Sequence, residues 1–258
     1  NEVKKIIEDK KFEPIIPNYI DLKEYKKKGG YTIANKIKKD EITKKQILVS
    51  LNESGLKGKG GAGFPTGKKW EIVSNYNGKK YVAVNGDEGE PGTFKDRSYL
   101  ESDPHRFLEG ALIASYFINA QKVYIYMRDE YPTVIKILLD EINKMEDEEI
   151  IPKDFFIVRR GAGAYICGEE SAMIESIEGK RGLPRHRPPY VAEIGLFGCP
   201  TLTNNLETLF WVRDIIEKGA KWFAEKGSNG NKGFHSFSVS GRVKSPGVKV
   251  APAGIQIQ

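Results

Sequence analysis

Hydrophobic and polar positions follow two different patterns along the middle of the chain. Short apolar runs at residues 81–84, 123–127 and 155–158 are typical of buried strands. Longer stretches with helical spacing or helix-start signals predict helices, at residues 40–54, 107–118, 132–145, 169–177 and 204–218. Strands that alternate with helices of this length predict an α/β domain with a mainly parallel sheet.

The pattern changes after Gly233, where two short alternating stretches predict strands at residues 236–243 and 248–251. We therefore divide the chain into a helical or extended segment (1–50) packed on the main α/β domain (51–233), and the start of a second, β-containing domain (234–258). The sequence has no initiating Met and stops inside an alternating stretch. We expect further chain after Gln258.

Composition excludes several classes of protein. Apolar residues make up 39% and charged residues 29% of the 258 positions, as in an ordinary globular protein. Cys167 and Cys199 are too few to build an iron–sulfur or cysteine-rich zinc site within this chain. The three histidines are scattered and form no hydrolase pattern, so we expect no catalytic side chain and no metal ligand.

Charge and hydropathy bear on location and partners. The net charge is +6, but lysines alternate with acidic residues, which favours a solvated surface and argues against nucleic-acid binding. No apolar run approaches the roughly 20 residues that span a bilayer, so we expect no direct membrane insertion. The cysteine usage favours the cytoplasm.

The first loop with candidate chemistry covers residues 58–70, and five glycines fall within its first ten positions: Gly58, Gly60, Gly61, Gly63 and Gly67. Such glycines let backbone amides approach a phosphate. A helical pattern precedes the loop where a dinucleotide fold needs a strand, and Lys69 stands where a P-loop needs Ser or Thr. A phosphate-bearing ligand and a plain surface loop both stay open, although Phe64 argues against the plain loop.

Two further loops follow predicted strands. The first carries Asn85, Asp87, Glu88 and Glu90, whose oxygens suit ribose hydroxyls or the N–H edge of a flavin ring. An acidic surface turn or a divalent metal site are the alternatives. The other loop covers residues 161–170, where acidic residues also suit the helix dipole and Cys167 is expected to be an inert, buried thiol.

Together with residues 178–185, 188–189 and 200–209, these loops resemble the flavin-containing, NADH-oxidising 51 kDa-type subunit of respiratory complex I. Relatives occur as the beta subunit of NAD-dependent formate dehydrogenases and in NAD(P)-linked hydrogenases. Residues 190–196 and 238–254 look closer to the formate dehydrogenases. The resemblance implies a Rossmann-like FMN-binding domain followed by a small ubiquitin-like domain.

The resemblance also implies roles for single residues. The loop at 58–67 would wrap the nucleotides, and the residues on the FMN side would be Lys69, Asn85, Asp87, Glu88, Tyr165, Gly168, Glu169, Asn204 and Asn205. On the NADH side, Phe64 would lie against the adenine, Glu90 would accept hydrogen bonds, and Glu170 would lie near the nicotinamide. Tyr190 stands near that pocket, where the family often carries Phe.

The implied activity is hydride transfer between NADH and FMN, in either direction. A [4Fe–4S] cluster would take the electrons in the part of the parent protein beyond residue 258. The partners would be other subunits of an oxidoreductase, including a thioredoxin-like [2Fe–2S] subunit, and such a complex could lie on the inner face of a membrane. The alternatives are an NADP-linked hydrogenase diaphorase, which Glu90 disfavours, and a non-catalytic nucleotide-binding module.

Overall fold

A computed structural model describes residues 14–256 of the chain. Its centre is a parallel four-stranded sheet of β1 (Tyr81–Gly86), β2 (Lys122–Met127), β3 (Phe156–Arg160) and β4 (Thr201–Asn205) in the order β3-β2-β1-β4. Ala83 of β1 lies opposite Tyr124 of β2 and Thr203 of β4. The predicted α/β class with a parallel sheet is confirmed.

Helices cover both faces of the sheet. Their bounds are α1 (Leu22–Lys27), α2 (Thr32–Lys38), α3 (Lys44–Ser54), α4 (Thr66–Ser74), α5 (Lys95–Ser102), α6 (Pro104–Ile118), α7 (Pro132–Asp147), α8 (Glu170–Ile177), α9 (Leu206–Lys218) and α10 (Ala220–Ala224). Val82 and Val84 point into the larger core, which contains α6 and α9. Ala83 faces the other way, into a smaller core with Met173 and Ile174 of α8.

The N-terminal segment is bound to the main domain through two fully buried carboxylates, Glu109 of α6 and Glu141 of α7. Glu109 accepts hydrogen bonds from the Tyr25 hydroxyl and the Tyr31 amide, at 2.6 and 2.9 Å. Glu141 accepts from the Tyr19 hydroxyl at 2.7 Å. Residues 19–31 therefore supply some of the hydrogen-bond partners that these buried acids need. Residues 1–13 of the predicted N-terminal segment lie outside the described residues.

Several elements were not predicted individually. Helices α4 and α5 lie where only loops were expected, and the polar strand β4 occupies residues assigned in part to a helix. The predicted helix start, with Asn204 as the capping residue, is wrong by one residue: Asn205 caps α9, which begins at Leu206, and its side chain accepts the amide of Glu207 at 3.0 Å. The reason is that residues 201–205 pair with β1 and are held extended.

The final part of the chain forms a separate antiparallel hairpin of β5 (Phe234–Val239) and β6 (Gly247–Pro252). Phe234 stacks on Trp211 of α9, with ring centroids 5.1 Å apart, so the hairpin packs against the main domain. Among residues 14–256, no helix is both long and apolar enough to cross a bilayer.

Candidate functional site

A cavity of about 510 Å³ opens at the carboxyl ends of β1 and β4. These neighbouring strands flank the point where the strand order reverses, which is where open α/β sheets bind ligands. The volume lies within the usual range for small-molecule sites. The cavity is lined by Lys59, Gly60, Gly61, Asn85, Asp87, Glu88, Gly89, Glu90, Thr93, Lys95, Asp96, Tyr165, Ile166, Gly168, Glu169 and Asn205.

The glycine loop forms one wall, over the N-terminus of α9. The Lys59 amide donates to the Thr208 hydroxyl at 2.9 Å, which holds the loop against the first turn of that helix. Gly60 lies so close to β4 that a β-carbon there would be 3.2 Å from Cβ of Asn205, and Gly61 has φ +111°. Glycine is therefore needed for close approach at one position and for backbone conformation at the next.

Asp87 lines this cavity and has a buried carboxylate oxygen. Its Oδ2 atom has no hydrogen-bond partner among residues 14–256, and burial raises the pKa of Asp87 to about 6. A buried acceptor without a partner is costly, so this atom suits a ligand that brings a donor.

Glu88 lines the same cavity as Asp87, but its carboxylate is bound by backbone amides. Its two carboxylate oxygens accept the amides of Asp96 and Arg97, at 3.0 and 2.9 Å, and thereby hold the start of α5. Burial and the nearby Asp96 carboxylate raise the pKa of Glu88 to about 7. Its side chain is thus already committed to the fold.

The third loop faces the acidic loop across the cavity. The Asn85 side chain donates to the Gly168 carbonyl at 2.8 Å, and the Tyr165 hydroxyl donates to Glu90 at 2.6 Å. Glu169 caps α8 by accepting the amides of Ser171 and Ala172, both at 2.9 Å. The structure therefore brings together the loops that follow β1 and β3.

The two neighbouring asparagines of β4 have different surroundings because alternate residues of a strand face opposite sides. Asn205 lines the cavity and donates to Asp96 at 2.8 Å. Asn204 is buried away from the lining, where it accepts the indole N–H of Trp70 at 2.9 Å.

Lys69 and Glu170 pair with each other outside the cavity lining. The Lys69 ammonium lies 3.1 Å from Glu170 and 2.7 Å from the Thr203 hydroxyl. Burial alone would raise the pKa of Glu170, but Lys69 and Thr203 lower it below its usual value. The other predicted residues outside the lining are Gly58, Gly63, Phe64, Gly67 and Tyr190. Phe64 and Tyr190 are about half exposed.

Several lining residues had no role assigned from the sequence, above all the two lysines Lys59 and Lys95. The Lys59 ammonium donates to the Phe234 carbonyl on β5, and burial lowers the pKa of Lys59. Lys59 lies within the glycine loop and Lys95 lies just after the acidic loop. Their closeness in sequence to these two loops is the signal that could have identified them as lining residues. No group of three or more His, Cys, Asp or Glu within residues 14–256 has the arrangement of a metal site.

Comparison with known proteins agrees with this geometry. The family model of the Nuo51 FMN-binding domain matches residues 51–214. An NADH-quinone oxidoreductase subunit of Rhizobium meliloti (strain 1021) is 43% identical over 262 residues, covering 96% of this chain and 62% of the relative. An NADH-quinone oxidoreductase subunit of Aquifex aeolicus (strain VF5) is 45% identical over 244 residues, covering 92% and 57%. The chain thus spans about three fifths of these two relatives.

A solved structure is also similar. A chain of the NAD+-reducing [NiFe]-hydrogenase in its H2-reduced state superposes with a TM-score of 0.76 at 42% sequence identity, covering 81% of this chain and 37% of that chain.

Proposed function

The chain belongs to the family of the Nuo51 FMN-binding domain, and from that premise we propose that its cavity holds FMN and serves NADH oxidation in a multisubunit oxidoreductase. NAD+ reduction is the same chemistry run in reverse. The relatives named as NADH-quinone oxidoreductase subunits and as an NAD+-reducing hydrogenase support this class of reaction.

The observation that carries the proposal is that Asp87, which lines a cavity of about 510 Å³, has a buried Oδ2 atom without a hydrogen-bond partner among residues 14–256. A flavin ring carries an N–H group that would satisfy this acceptor, and the cavity volume suits a ligand of that size. The N-terminus of α9 and the amides of the glycine loop supply donors for a phosphate. The residues present therefore fit FMN.

FMN, when bound, accepts a hydride from NADH and passes the electrons on singly. The protein then needs no acid or base, only groups that hold two rings face to face and exclude water. Asn85, Asp87, Gly168 and Asn205 would hold the flavin. The Asn85 side chain already joins two walls of the cavity through Gly168.

Glu90 is proposed to select NADH. It lies exposed at the cavity's edge, where a carboxylate accepts ribose hydroxyls and repels the additional phosphate of NADPH. Phe64, Glu170 and Tyr190 are proposed to contact the same nucleotide, and Lys69 would act through its pair with Glu170.

The partners and the electron acceptor are also proposals. We propose a [4Fe–4S] cluster in the longer parent protein and a thioredoxin-like [2Fe–2S] subunit beside it. An NADP-linked diaphorase is the alternative function. The two functions differ in whether NADPH reacts, and we expect Glu90 to exclude NADPH.

The test is the visible absorbance of the purified protein after incubation with FMN and desalting, recorded under nitrogen before and after NADH. We expect a retained flavin band that bleaches with NADH and bleaches less readily with NADPH. A retained flavin band that bleaches with neither nucleotide would indicate a nucleotide-binding module without catalytic turnover. Absence of retained flavin would contradict the FMN site itself.

A further inference from the structure

Lys95 is held at the cavity wall by a charge cluster that is almost fully buried. Its ammonium lies 2.7 Å from Asp96, 3.0 Å from Glu207 and 3.2 Å from Oδ1 of Asn205. The contacts to Asp96 and Asn205 are hydrogen bonds, and the contact to Glu207 is an ion pair. Lys95 is therefore held by three groups within the cluster.

The cluster fixes Asn205, which lines the cavity. Asn205 accepts from Lys95 through Oδ1 and donates to Asp96 through Nδ2, so both ends of its amide are bound within the cluster. The side chains of Asp96 and Glu207 are 1% and 2% exposed, which leaves little water to replace a lost partner. Lys95 therefore helps to fix the Asn205 side chain, together with the Glu207 amide, which donates to the same Oδ1 atom at 3.0 Å.

Glu207 has a second partner from outside the main domain. Its Oε1 atom accepts the hydroxyl of Ser236 on β5, at 2.7 Å. Because Ser236 donates its single proton to this carboxylate, its oxygen accepts the Tyr99 hydroxyl, which lies within hydrogen-bond distance. Two hydrogen bonds therefore join Tyr99, Ser236 and Glu207, and an ion pair joins Glu207 to Lys95.

We propose that Ser236 is a positioning residue of the cofactor site, which orients Glu207 and thereby keeps Lys95 and Asn205 at the cavity wall. The hairpin after residue 233 is then a structural part of a site whose other walls belong to the main domain. The role of Ser236 in FMN binding rests on the proposed function. Its role in placing Lys95 does not, because the placement of Lys95 can be measured without a ligand.

The test compares Ser236→Ala with Ser236→Thr, which keeps the hydroxyl, and with Ser240→Ala, which alters an exposed serine just beyond β5. The first readout is the rate at which acetic anhydride modifies single lysines, measured by mass spectrometry of the ligand-free protein. We expect Ser236→Ala to speed modification of Lys95 several-fold. Lys80, a buried lysine beside the amino end of β1, should keep its rate.

The second readout is the dissociation constant of FMN from its fluorescence quenching. Loss of one hydrogen bond to a carboxylate predicts binding that is weaker by about three- to ten-fold in Ser236→Ala. Ser236→Thr and Ser240→Ala should bind FMN like the unmodified protein.

An unchanged rate at Lys95 in Ser236→Ala would overturn the proposal, and so would faster modification of Lys95 and Lys80 together, which indicates general loosening. Faster modification of Lys95 alone with unchanged FMN affinity would overturn the link to the cofactor. If the unmodified protein binds no FMN, the proposed function fails, while the rate at Lys95 still decides whether Ser236 positions that lysine.

Discussion

The hydroxyl group of Tyr165 donates a 2.6 Å hydrogen bond to the carboxylate of Glu90. This bond joins the loop after β1 to the turn after β3 across the cavity. Hydrogen bonding to Glu90 and its charge raise the pKa of Tyr165 above the usual value, so the phenol stays protonated and keeps donating. The bond uses only Oε2 of Glu90, so the carboxylate can still accept a ribose hydroxyl.

Replacement of Glu90 by Gln is expected to weaken NADH binding about ten-fold and to leave flavin content intact, because a charged acceptor is lost while the inner cavity is unchanged. NADPH binding should weaken less or improve, since the repelling charge is gone. The measurements are nucleotide titrations of the FMN-loaded protein and its flavin-to-protein ratio. Loss of flavin at unchanged NADH affinity would refute this role.

Tyr165→Phe is the matched comparison for Glu90→Gln. It removes the hydroxyl that donates to Oε2 of Glu90 and keeps the ring, so the carboxylate gains acceptor capacity and we expect NADH affinity to stay equal or to increase. A loss as large as that of Glu90→Gln would mean that the Tyr165 hydroxyl itself binds the nucleotide.

FMN binding is expected to depend on the ionisation of Asp87. Burial raises the pKa of Asp87 to about 6, and only the ionised form offers two acceptor oxygens. Affinity for FMN should therefore fall as the pH drops through about 6, and this dependence should disappear in Asp87→Asn. Fluorescence titrations at several pH values measure it. The same pH profile in both proteins would show that Asp87 does not titrate at the site.

The same carboxylate should destabilise the ligand-free protein. Because the folded-state pKa of Asp87 lies above the ordinary value of 3.8, its stabilising contribution is complete below that value and is lost as the pH rises through about 6. At about pH 8, Asp87→Asn is expected to be more stable by on the order of 1 kcal/mol, a value reduced for partial exposure. Urea unfolding measures this, and a destabilised variant would mean that Oδ2 has a partner.

Glu141→Gln is expected to destabilise the protein by about 3 kcal/mol, because it breaks a buried charged network. Burial alone would raise the pKa of Glu141, but hydrogen bonds from His105, Lys144 and Tyr19 lower it to about 2. The stabilisation is therefore present above about 4.5 and is lost as the pH falls toward about 2. Urea unfolding over this pH range measures the loss.

Glu148→Gln is the control for Glu141→Gln. Glu148 pairs with Lys26, and both side chains are more than two fifths exposed. Removing this pair should cost less than about 1 kcal/mol. Equal losses of stability in Glu141→Gln and Glu148→Gln would contradict the importance assigned to the burial of Glu141.

Gly110→Ala tests the contact between α6 and α9. A β-carbon at Gly110 would lie 2.0 Å from the carbonyl oxygen of Leu209, which is backbone and has little freedom to move. Alanine normally stabilises a helix by about 1 kcal/mol relative to glycine, but here overpacking should destabilise by about 2 kcal/mol or more. Thermal unfolding checks the sign, and a stabilised variant would show that the helices are further apart.

Gly67→Ala provides the comparison for Gly110→Ala. Its β-carbon would meet the side-chain amide of Asn52, with Oδ1 at 2.3 Å. A flexible side chain can move away, so we expect a smaller loss of stability than in Gly110→Ala.

The strands of the sheet could be predicted in part, because buried strands are rich in apolar residues. β1 and β2 are mainly apolar runs, as expected of strands covered on both faces, and the edge strand β3 begins with the apolar residues Phe-Ile-Val. β4 has the sequence Thr-Leu-Thr-Asn-Asn, and its polar residues are buried because β1, Trp70 and Lys69 satisfy them. No local sequence pattern predicts such a strand, because the residues that satisfy its polar groups lie far away in sequence.

The loops of the candidate site were predictable, but the direction of each side chain within them was not. Asn204 and Asn205 had the same predicted role, and strand alternation sends only Asn205 into the cavity lining. Glu88 and Asp87 look alike in sequence, yet one caps α5 and the other keeps a free oxygen.

The sequence by itself determined the α/β class, the three loops and the family, because hydrophobic periodicity and long local motifs need no knowledge of distant contacts. Only the tertiary structure decided which polar groups are partnered. Asn205 binds Asp96, 109 positions away, and Glu207 binds Ser236 from the hairpin. Hydrogen bonds between buried groups depend on the packing of whole elements, and that packing leaves Oδ2 of Asp87 without a partner in the described part of the chain.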